Sequence, residues 1–180
     1  FELVRAEGLS DVNLVKDGGF ESLGGALNNG GNTLTYWDLY TTLDGTVPVK
    51  AGDSVNQVGG RLYATTANYW ASETYEGTSF LALWNRNNVR QEIAFPRGGR
   101  YRLTLNLAAM GQTYDALFPY MKDYDRFLMA LVKPDGTETN WMMQTTVCAT
   151  NFVERSYDFV IPEACTRTLV LGNPKGADGA

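Results

Sequence analysis

The sequence predicts an all-β fold in which two antiparallel sheets pack as a β-sandwich or jelly roll, with at most one or two short helices. Three observations lead to this prediction. Apolar residues recur with a period of two rather than 3.6. Turn signals rich in Gly, Pro, Asn and Asp separate the apolar runs. No segment carries a long amphipathic helical stripe.

The first strand-like run covers residues 1–5, and a second begins at Asp11 after a short Gly-containing joint. Residues 80–84 and 127–132 are short and continuously apolar, which is typical of strands that are covered on both faces. Residues 139–148 and 167–171 are further strand candidates.

Alternation is clearest at residues 100–107, where Tyr and Leu occupy the odd positions and Arg, Thr and Asn the even ones. This pattern predicts a strand with one buried and one solvated face. Two other runs, residues 89–95 and 156–161, alternate in the same way. The inward positions predicted in them are Val89, Ile93, Phe95, Tyr157, Phe159 and Ile161.

The strongest turn signals are Pro96-Arg97-Gly98-Gly99 and Pro134-Asp135-Gly136, because Pro presets φ and Gly accepts a positive φ. Asp44-Gly45 is another turn signal. The single helix candidate lies at residues 113–124, where Pro119 interrupts the pattern and limits it to a short helix.

Composition excludes several classes of protein. A chain of 180 residues that is 44% hydrophobic predicts one folded domain. Its 15 basic and 20 acidic residues give a net charge of −5, which argues against nucleic-acid binding. No apolar run approaches the ~20 residues of a membrane span. Without histidine, the chain cannot form a Ser-His-Asp triad, a Cys-His pair or the common zinc sites.

Several motifs resemble one family. Residues 13–21, which end in Gly-Gly-Phe-Glu, and Trp37 after a Gly/Asn-rich loop resemble the opening of galactose-binding-domain-like jelly rolls. These include carbohydrate-binding modules attached to bacterial glycoside hydrolases and cell-surface proteins. Residues 91–105, with the pattern Gln…Pro…Gly-x-Tyr-x-Leu, are similar to a hairpin of that family. Residues 76–83, 152–159 and 169–180 contain further similar motifs, and all of these motifs occur along the chain in the order that they have in the family. In this family the position that matches Trp37 is usually packed.

The resemblance implies a structural calcium ion. In this family the residue that matches Glu21 is often a calcium ligand, and Gly19 through its carbonyl and Asp178 through its carboxylate are the candidate companions. Calcium takes six to eight hard oxygen ligands, and Gly-rich loops allow carbonyls to converge on it. The alternative interpretation is an exposed Glu at the end of a strand.

Aromatic residues favour a sugar-binding interpretation, because aromatic rings stack on the apolar face of a pyranose. Tyr69 and Trp70 lie in a loop-like stretch, and Tyr120 and Tyr124 lie in a long insertion before Asp125. These four are the candidate ligand-binding residues. The alternative is a place in the core or in an interface, where aromatics of all-β proteins are more often found.

The two cysteines, Cys148 and Cys165, permit one disulfide, and two buried thiols are the alternative. Paired carboxylates such as Glu73 and Glu76 have no sign of a cleft between them, so no catalytic residue is predicted and the chain is expected not to be an enzyme.

The two ends indicate a division into residues 1–9, a strand and joint, and residues 10–180, the jelly-roll domain. The family pattern continues past the last Gly-rich turn into a closing strand, and this sequence stops before it. Residues 1–5 resemble part of such a strand. They are interpreted as the tail of a preceding unit or as a donor strand for this domain or a neighbouring copy, with Phe1, Leu3 and Val4 as assembly residues.

Two functions follow from this reading. The first is a non-catalytic, extracellular or cell-surface module that binds a polysaccharide or glycan and holds structural calcium. The second is a structural subunit of a cell-surface filament or other assembly, in which copies of the chain are joined by donation of the N-terminal strand.

Overall fold

The structure is a computed structural model that describes residues 2–5, 12–20, 35–43, 47–50, 60–64, 79–83, 87–108, 126–133, 139–146 and 151–172. All regular elements within these ranges are strands. They are β1 (Glu2–Arg5), β2 (Asp38–Leu43), β3 (Val47–Lys50), β4 (Gly60–Ala64), β5 (Ser79–Leu83), β6 (Asn87–Phe95), β7 (Gly99–Leu107), β8 (Arg126–Val132), β9 (Thr139–Thr146), β10 (Val153–Ile161) and β11 (Cys165–Gly172).

The strands pair in antiparallel fashion throughout the described part of the chain. A three-stranded sheet has the order β1-β7-β10, and a six-stranded sheet has the order β3-β2-β6-β11-β8-β9. Strands β4 and β5 form a separate pair. The described residues contain no helix. The all-β prediction is therefore confirmed for this part of the chain, and the arrangement is compatible with an all-β sandwich.

The predicted alternation is confirmed in β6, β7 and β10. In β7, the Tyr and Leu positions are buried while Arg100 and Arg102 are exposed. In β10, Ile161 is buried and Asp158 is exposed. In β6, Glu92 is exposed between buried neighbours. Each strand therefore directs one face toward the protein interior, as its period-two pattern requires.

Strands β8 and β11 are covered on both faces over part of their length. Met129, Ala130 and Leu131 are consecutive and buried, and so are Leu169 to Leu171 in β11. Because successive side chains of a strand point to opposite faces, a buried run of three needs cover on both sides. The prediction of cover on both faces is confirmed for residues 129–131 of the run 127–132, and Phe127, Leu128 and Val132 are half-buried.

One hydrophobic cluster draws on both larger sheets. From the three-stranded sheet it takes Leu3 and the inward residues of β7 and β10, and from the six-stranded sheet it takes inward residues of β6, β8 and β11. Three further members lie outside the strands, namely Val15, Phe20 and Trp37.

The chain passes from one sheet to the other at two neighbouring corners. Strand β6 belongs to the six-stranded sheet and β7 to the three-stranded sheet, so the turn at residues 96–98 joins two sheets and is not a hairpin. Strands β10 and β11 are joined across the sheets in the same way. A Cβ added to Gly98 would lie 2.4 Å from the carbonyl oxygen of Pro162, so the two corners are in close contact. Gly99 has a φ of 150°, as the turn signal predicted.

Three aromatic rings pack beneath these corners. Phe95 meets Tyr101 edge-on at 4.9 Å and Phe159 edge-on at 6.1 Å, and the rings of Tyr101 and Phe159 are stacked at 6.1 Å. The Tyr101 hydroxyl donates a hydrogen bond to the carbonyl of Arg97, 2.7 Å away. The rings therefore join the two sheets at the end where the chain crosses between them.

Some predictions differ from the structure. The strand predicted to begin at Asp11 is wrong for residues 12–20, which form a turn. Strands β2, β3 and β4 were not predicted. Strand β3 contains Pro48 and lies at the edge of its sheet, where Pro is tolerated because every second N–H points away from the neighbouring strand. The helix candidate at residues 113–124 lies outside the described residues.

Candidate functional site

The candidate site is the turn at residues 13–20, called here the anchored turn, which lies between the two larger sheets. Its main contact with the six-stranded sheet is the side chain of Gln91 on β6. The Gln91 Oε1 accepts a hydrogen bond from the N–H of Lys16 at 2.7 Å. The Gln91 Nε2 donates to the carbonyls of Lys16 at 2.9 Å and Tyr36 at 3.0 Å. Gln91 is buried, with 6% of its surface exposed, and both the oxygen and the nitrogen of its side-chain amide form hydrogen bonds with the backbone of two loops.

The anchored turn is joined to the three-stranded sheet through Asn13. Its Oδ1 accepts hydrogen bonds from the N–H groups of Leu3 at 2.9 Å and Val15 at 3.0 Å. The N–H of Leu14 donates to the carbonyl of Leu3 at 2.9 Å. Residues 13 and 14 therefore cover the outer edge of β1, whose other edge pairs with β7.

Backbone shape and aromatic packing fix the end of the anchored turn. Asp17 and Phe20 adopt left-handed φ values of 51° and 58°, which are uncommon for residues other than Gly. The carbonyl of Asp17 accepts hydrogen bonds from the Phe20 N–H at 3.1 Å and the Trp37 Nε1 at 3.2 Å. The rings of Phe20 and Trp37 are tilted, with centroids 5.4 Å apart, and both are buried. Trp37 is packed, as the family position implied.

The predicted calcium ligands lie at the end of this turn in the sequence. Gly19 is exposed beside buried Phe20. Glu21, the next residue, and Asp178 lie outside the described residues. Within the described ranges, no group of three or more acidic or Cys side chains is close enough to share a metal ion. The calcium site therefore stays a prediction.

The other predicted site residues lie mostly outside the described residues. These are Tyr69, Trp70, Tyr120, Tyr124, Phe1 and Cys148. Val4 lies in β1, and Leu3 is in the core of the chain's own sheets with 0% of its surface exposed. Cys165 carries a half-buried free thiol opposite Phe95. Donation of β1 between copies stays a prediction, because within one chain β1 pairs with that chain's own β7.

The outward face of β7 and β10 carries a polar ladder that the sequence reasoning did not single out. Arg102 donates two hydrogen bonds to Asp158, from Nε at 2.7 Å and from an Nη at 3.0 Å. Thr104 and Ser156 share a hydrogen bond of 3.2 Å on the next pair. The hydrogen bond from Arg102 lowers the pKa of Asp158 and raises the pKa of Arg102. Since both groups are exposed, this pair orders the surface more than it stabilises the fold.

No contact or site role was predicted for two buried polar residues of β6. Gln91 occupies an inward position between Val89 and Ile93, and this polar residue in the apolar half of an alternating strand was the signal for it. Asn88 is fully buried. Its Oδ1 accepts from the Nε of Arg90 at 2.8 Å, while its Nδ2 finds no acceptor in the part of the chain that the structure describes.

Comparisons of the chain with known protein families, with curated proteins and with solved structures found no match. Of the residues that the structure describes, none form a helix with the length and apolarity that crossing a membrane requires.

Proposed function

We propose that this chain is a non-catalytic, extracellular carbohydrate-binding module with a galactose-binding-like jelly-roll architecture. In this proposal the three-stranded and six-stranded sheets are the two layers of a sandwich. The shared hydrophobic cluster and the two corners at which the chain crosses between sheets support this arrangement.

The observation that carries the proposal is the convergence of two separate motifs at the anchored turn. Residues 13–20 and Trp37 belong to the opening motif and Gln91 to the later hairpin motif, and both motifs resemble the family. In the structure Gln91 hydrogen-bonds Lys16, and Trp37 hydrogen-bonds Asp17. Each motif alone is weak evidence for the family. The contacts between their residues strengthen that evidence and so support the resemblance on which the proposed function rests.

The anchored turn also supports the calcium part of the proposal. It is held by hydrogen bonds to both larger sheets and by the buried ring of Phe20, directly before Glu21 in the sequence. A metal ion binds more tightly when the backbone of its ligands is already fixed, because ordering a loose loop opposes binding. Glu21 and Asp178 would supply carboxylates, and Gly19 a carbonyl.

Sugar binding itself is assigned to the aromatic side chains. Tyr69 and Trp70 form the first stacking platform, with Tyr120 and Tyr124 as the second. Hydrogen bonds from Asn and Arg side chains of the loops orient the sugar, and no bond is made or broken. A glycan would therefore be bound and released unchanged.

The test of sugar binding uses affinity electrophoresis and titration calorimetry against a panel of plant, bacterial and host polysaccharides. Trp70→Ala and Tyr69→Ala should weaken binding at least tenfold. The matched control is Tyr36→Ala, because Tyr36 is an exposed Tyr whose side chain can be removed while its carbonyl still accepts from Gln91. Binding to no polysaccharide, or equal binding by Trp70→Ala and wild type, contradicts the proposal.

The calcium part is tested separately by thermal unfolding in excess calcium and in chelator. Calcium should raise the unfolding temperature of the wild type, since a ligand that binds the native state stabilises it. Glu21→Gln and Asp178→Asn should abolish this rise. Glu92→Gln, which removes an exposed carboxylate on β6, should leave it intact. A calcium effect that survives in Glu21→Gln overturns the assignment.

A further inference from the structure

Strand β1 occupies a narrow slot with hydrogen-bonding groups on both sides. On one side, Glu2 to Arg5 pair in antiparallel register with Thr104 to Tyr101 of β7. On the other side lie the Asn13 side chain and the Leu14 N–H, which bond the two outward backbone groups of Leu3. This place between β7 and residues 13–14 is called here the β1 slot.

The β1 slot restricts which strand can bind in it, through both the backbone and one side chain. It accepts an extended backbone, and at residue 3 it requires both an N–H for Asn13 and a carbonyl for Leu14, so Pro cannot occupy that position. It also encloses the side chain of Leu3, which has 0% exposure and belongs to the shared core. Main-chain pairing and one buried apolar side chain are the two features by which sheets recognise an added strand.

We propose that the β1 slot is an interaction site between copies of this chain, in which the β1 strand of one copy replaces that of another. The slot is filled by this very sequence within one chain, so an identical strand from a second copy has the same complementarity. The exchange needs no new contact, because each hydrogen bond and the burial of Leu3 are reproduced in the partner. This interaction does not depend on the proposed sugar binding.

Exchange is opposed within one chain by the high effective concentration of its own strand. It therefore proceeds only when β1 leaves its slot, and Asn13 controls that step because its carboxamide covers the outer edge of the strand. Reciprocal exchange closes a dimer, whereas donation in one direction builds a linear series of copies.

Disulfide trapping tests the proposal on the full chain. Val4 and Arg102 are opposite each other across β1 and β7, and so are Glu2 and Thr104. Opposed residues of antiparallel strands lie about 5.5 Å or less apart at Cα, within the reach of a disulfide. A Val4→Cys chain is mixed with an Arg102→Cys chain, incubated and oxidised. Linked peptides are then identified by mass spectrometry, which separates them from products of Cys148 and Cys165.

The expected result is a disulfide between chains that joins position 4 of one copy to position 102 of the other. Its yield should be at least tenfold above that of Val4→Cys mixed with Val160→Cys. Val160 is exposed and lies on β10, which does not pair with β1. The chain with both Val4→Cys and Arg102→Cys should close within itself, which verifies the register.

Glu2→Cys with Thr104→Cys replaces the first pair if either variant fails to fold. Equal yields with the Val160→Cys control, or no closure in the double variant, overturn the proposal.

Discussion

The side-chain amide of Gln91 hydrogen-bonds both the N–H and the carbonyl of Lys16, which lies 75 residues earlier in the chain. This pairing imitates the way one strand pairs with another, and it joins a turn to the centre of the six-stranded sheet. It also explains why a polar residue occupies an inward position of β6.

The loss of this amide should destabilise the protein. Gln91→Ala leaves one N–H and two carbonyls of the loops without their partner, and unpaired groups of this kind cost about 1–3 kcal/mol each when buried. We expect a loss of about 2–4 kcal/mol in the free energy of unfolding, measured by urea denaturation. Glu92→Ala is the control, because Glu92 is the exposed neighbour on the same strand. Equal stability of the two variants contradicts this role of Gln91.

The contact between the two corners predicts the effect of one methyl group. In Gly98→Ala the new Cβ would meet the Pro162 carbonyl at 2.4 Å, so the two backbones must separate. Such overpacking costs about 1–3 kcal/mol. Where a Gly has room, the same substitution stabilises by about 0.4–1 kcal/mol. Gly98→Ala should therefore lower the unfolding temperature, and a rise would contradict the close contact between the corners. Glu163→Ala, an exposed substitution on the facing corner, should have little effect.

The pairing of Arg102 with Asp158 predicts a pH dependence. Because the hydrogen bond from Arg102 lowers the folded-state pKa of Asp158 below its ordinary value of 3.8, the carboxylate stabilises the folded state above that pH. This stabilisation is lost as the pH falls through the lowered folded-state value. The carboxyl titration followed by NMR should therefore have a midpoint below 3.8, and Arg102→Gln should raise it.

Arg100→Gln should raise that midpoint less than Arg102→Gln does. Arg100 acts on Asp158 only through its charge, whereas Arg102 also donates hydrogen bonds. High salt should reduce the effect of Arg100 on the pKa of Asp158 more than that of Arg102, because salt screens an interaction between exposed charges that has no hydrogen bond. Identical midpoints in the two variants would contradict the hydrogen bond as the main cause.

The position of Asn13 predicts a local change that hydrogen exchange can measure. Asn13→Ala removes the acceptor of two N–H groups, those of Leu3 and Val15, and should cost about 1–2 kcal/mol. Exchange of these two amides should accelerate more than that of Leu103, which lies opposite Leu3 on the central strand. Asn151→Ala, at an exposed Asn, serves as the control. Unchanged exchange at Leu3 would show that Asn13 does not secure β1.

The strands whose alternation is long could be predicted from the sequence, and so could their faces. In β7, the buried residues at positions 101, 103, 105 and 107 alternate with exposed or half-buried ones, and burial of one face requires that pattern. Short strands such as β3 and β4 do not contain enough residues for a period to be recognised. Pro48 further obscured β3, because the edge position that tolerates it is a property of the whole sheet.

Partners far apart in the sequence could not be predicted in the same way. The turn at residues 96–98 has the composition of a hairpin turn, and only the pairing of β6 with β11 and of β7 with β10 makes it a corner. The motif at residues 13–21 identified the anchored turn, although its contacts with Gln91 and β1 follow from tertiary packing. The proposed ligands Glu21, Trp70 and Asp178 lie outside the described residues and stay predictions from the sequence.

The crossing of the chain between sheets also determines how the protein can be made. Arg102 of β7 meets Asp158 of β10, 56 residues later, and the partner of β6, strand β11, is synthesised later still. At about 5–20 residues per second, a ribosome needs about 3–11 s to synthesise those 56 residues. During that time β7 lacks its neighbour β10 and β6 lacks its neighbour β11, so each has one edge without a partner strand. Nascent chains are therefore expected to expose apolar surface until β11 emerges, and slower translation should lengthen that period.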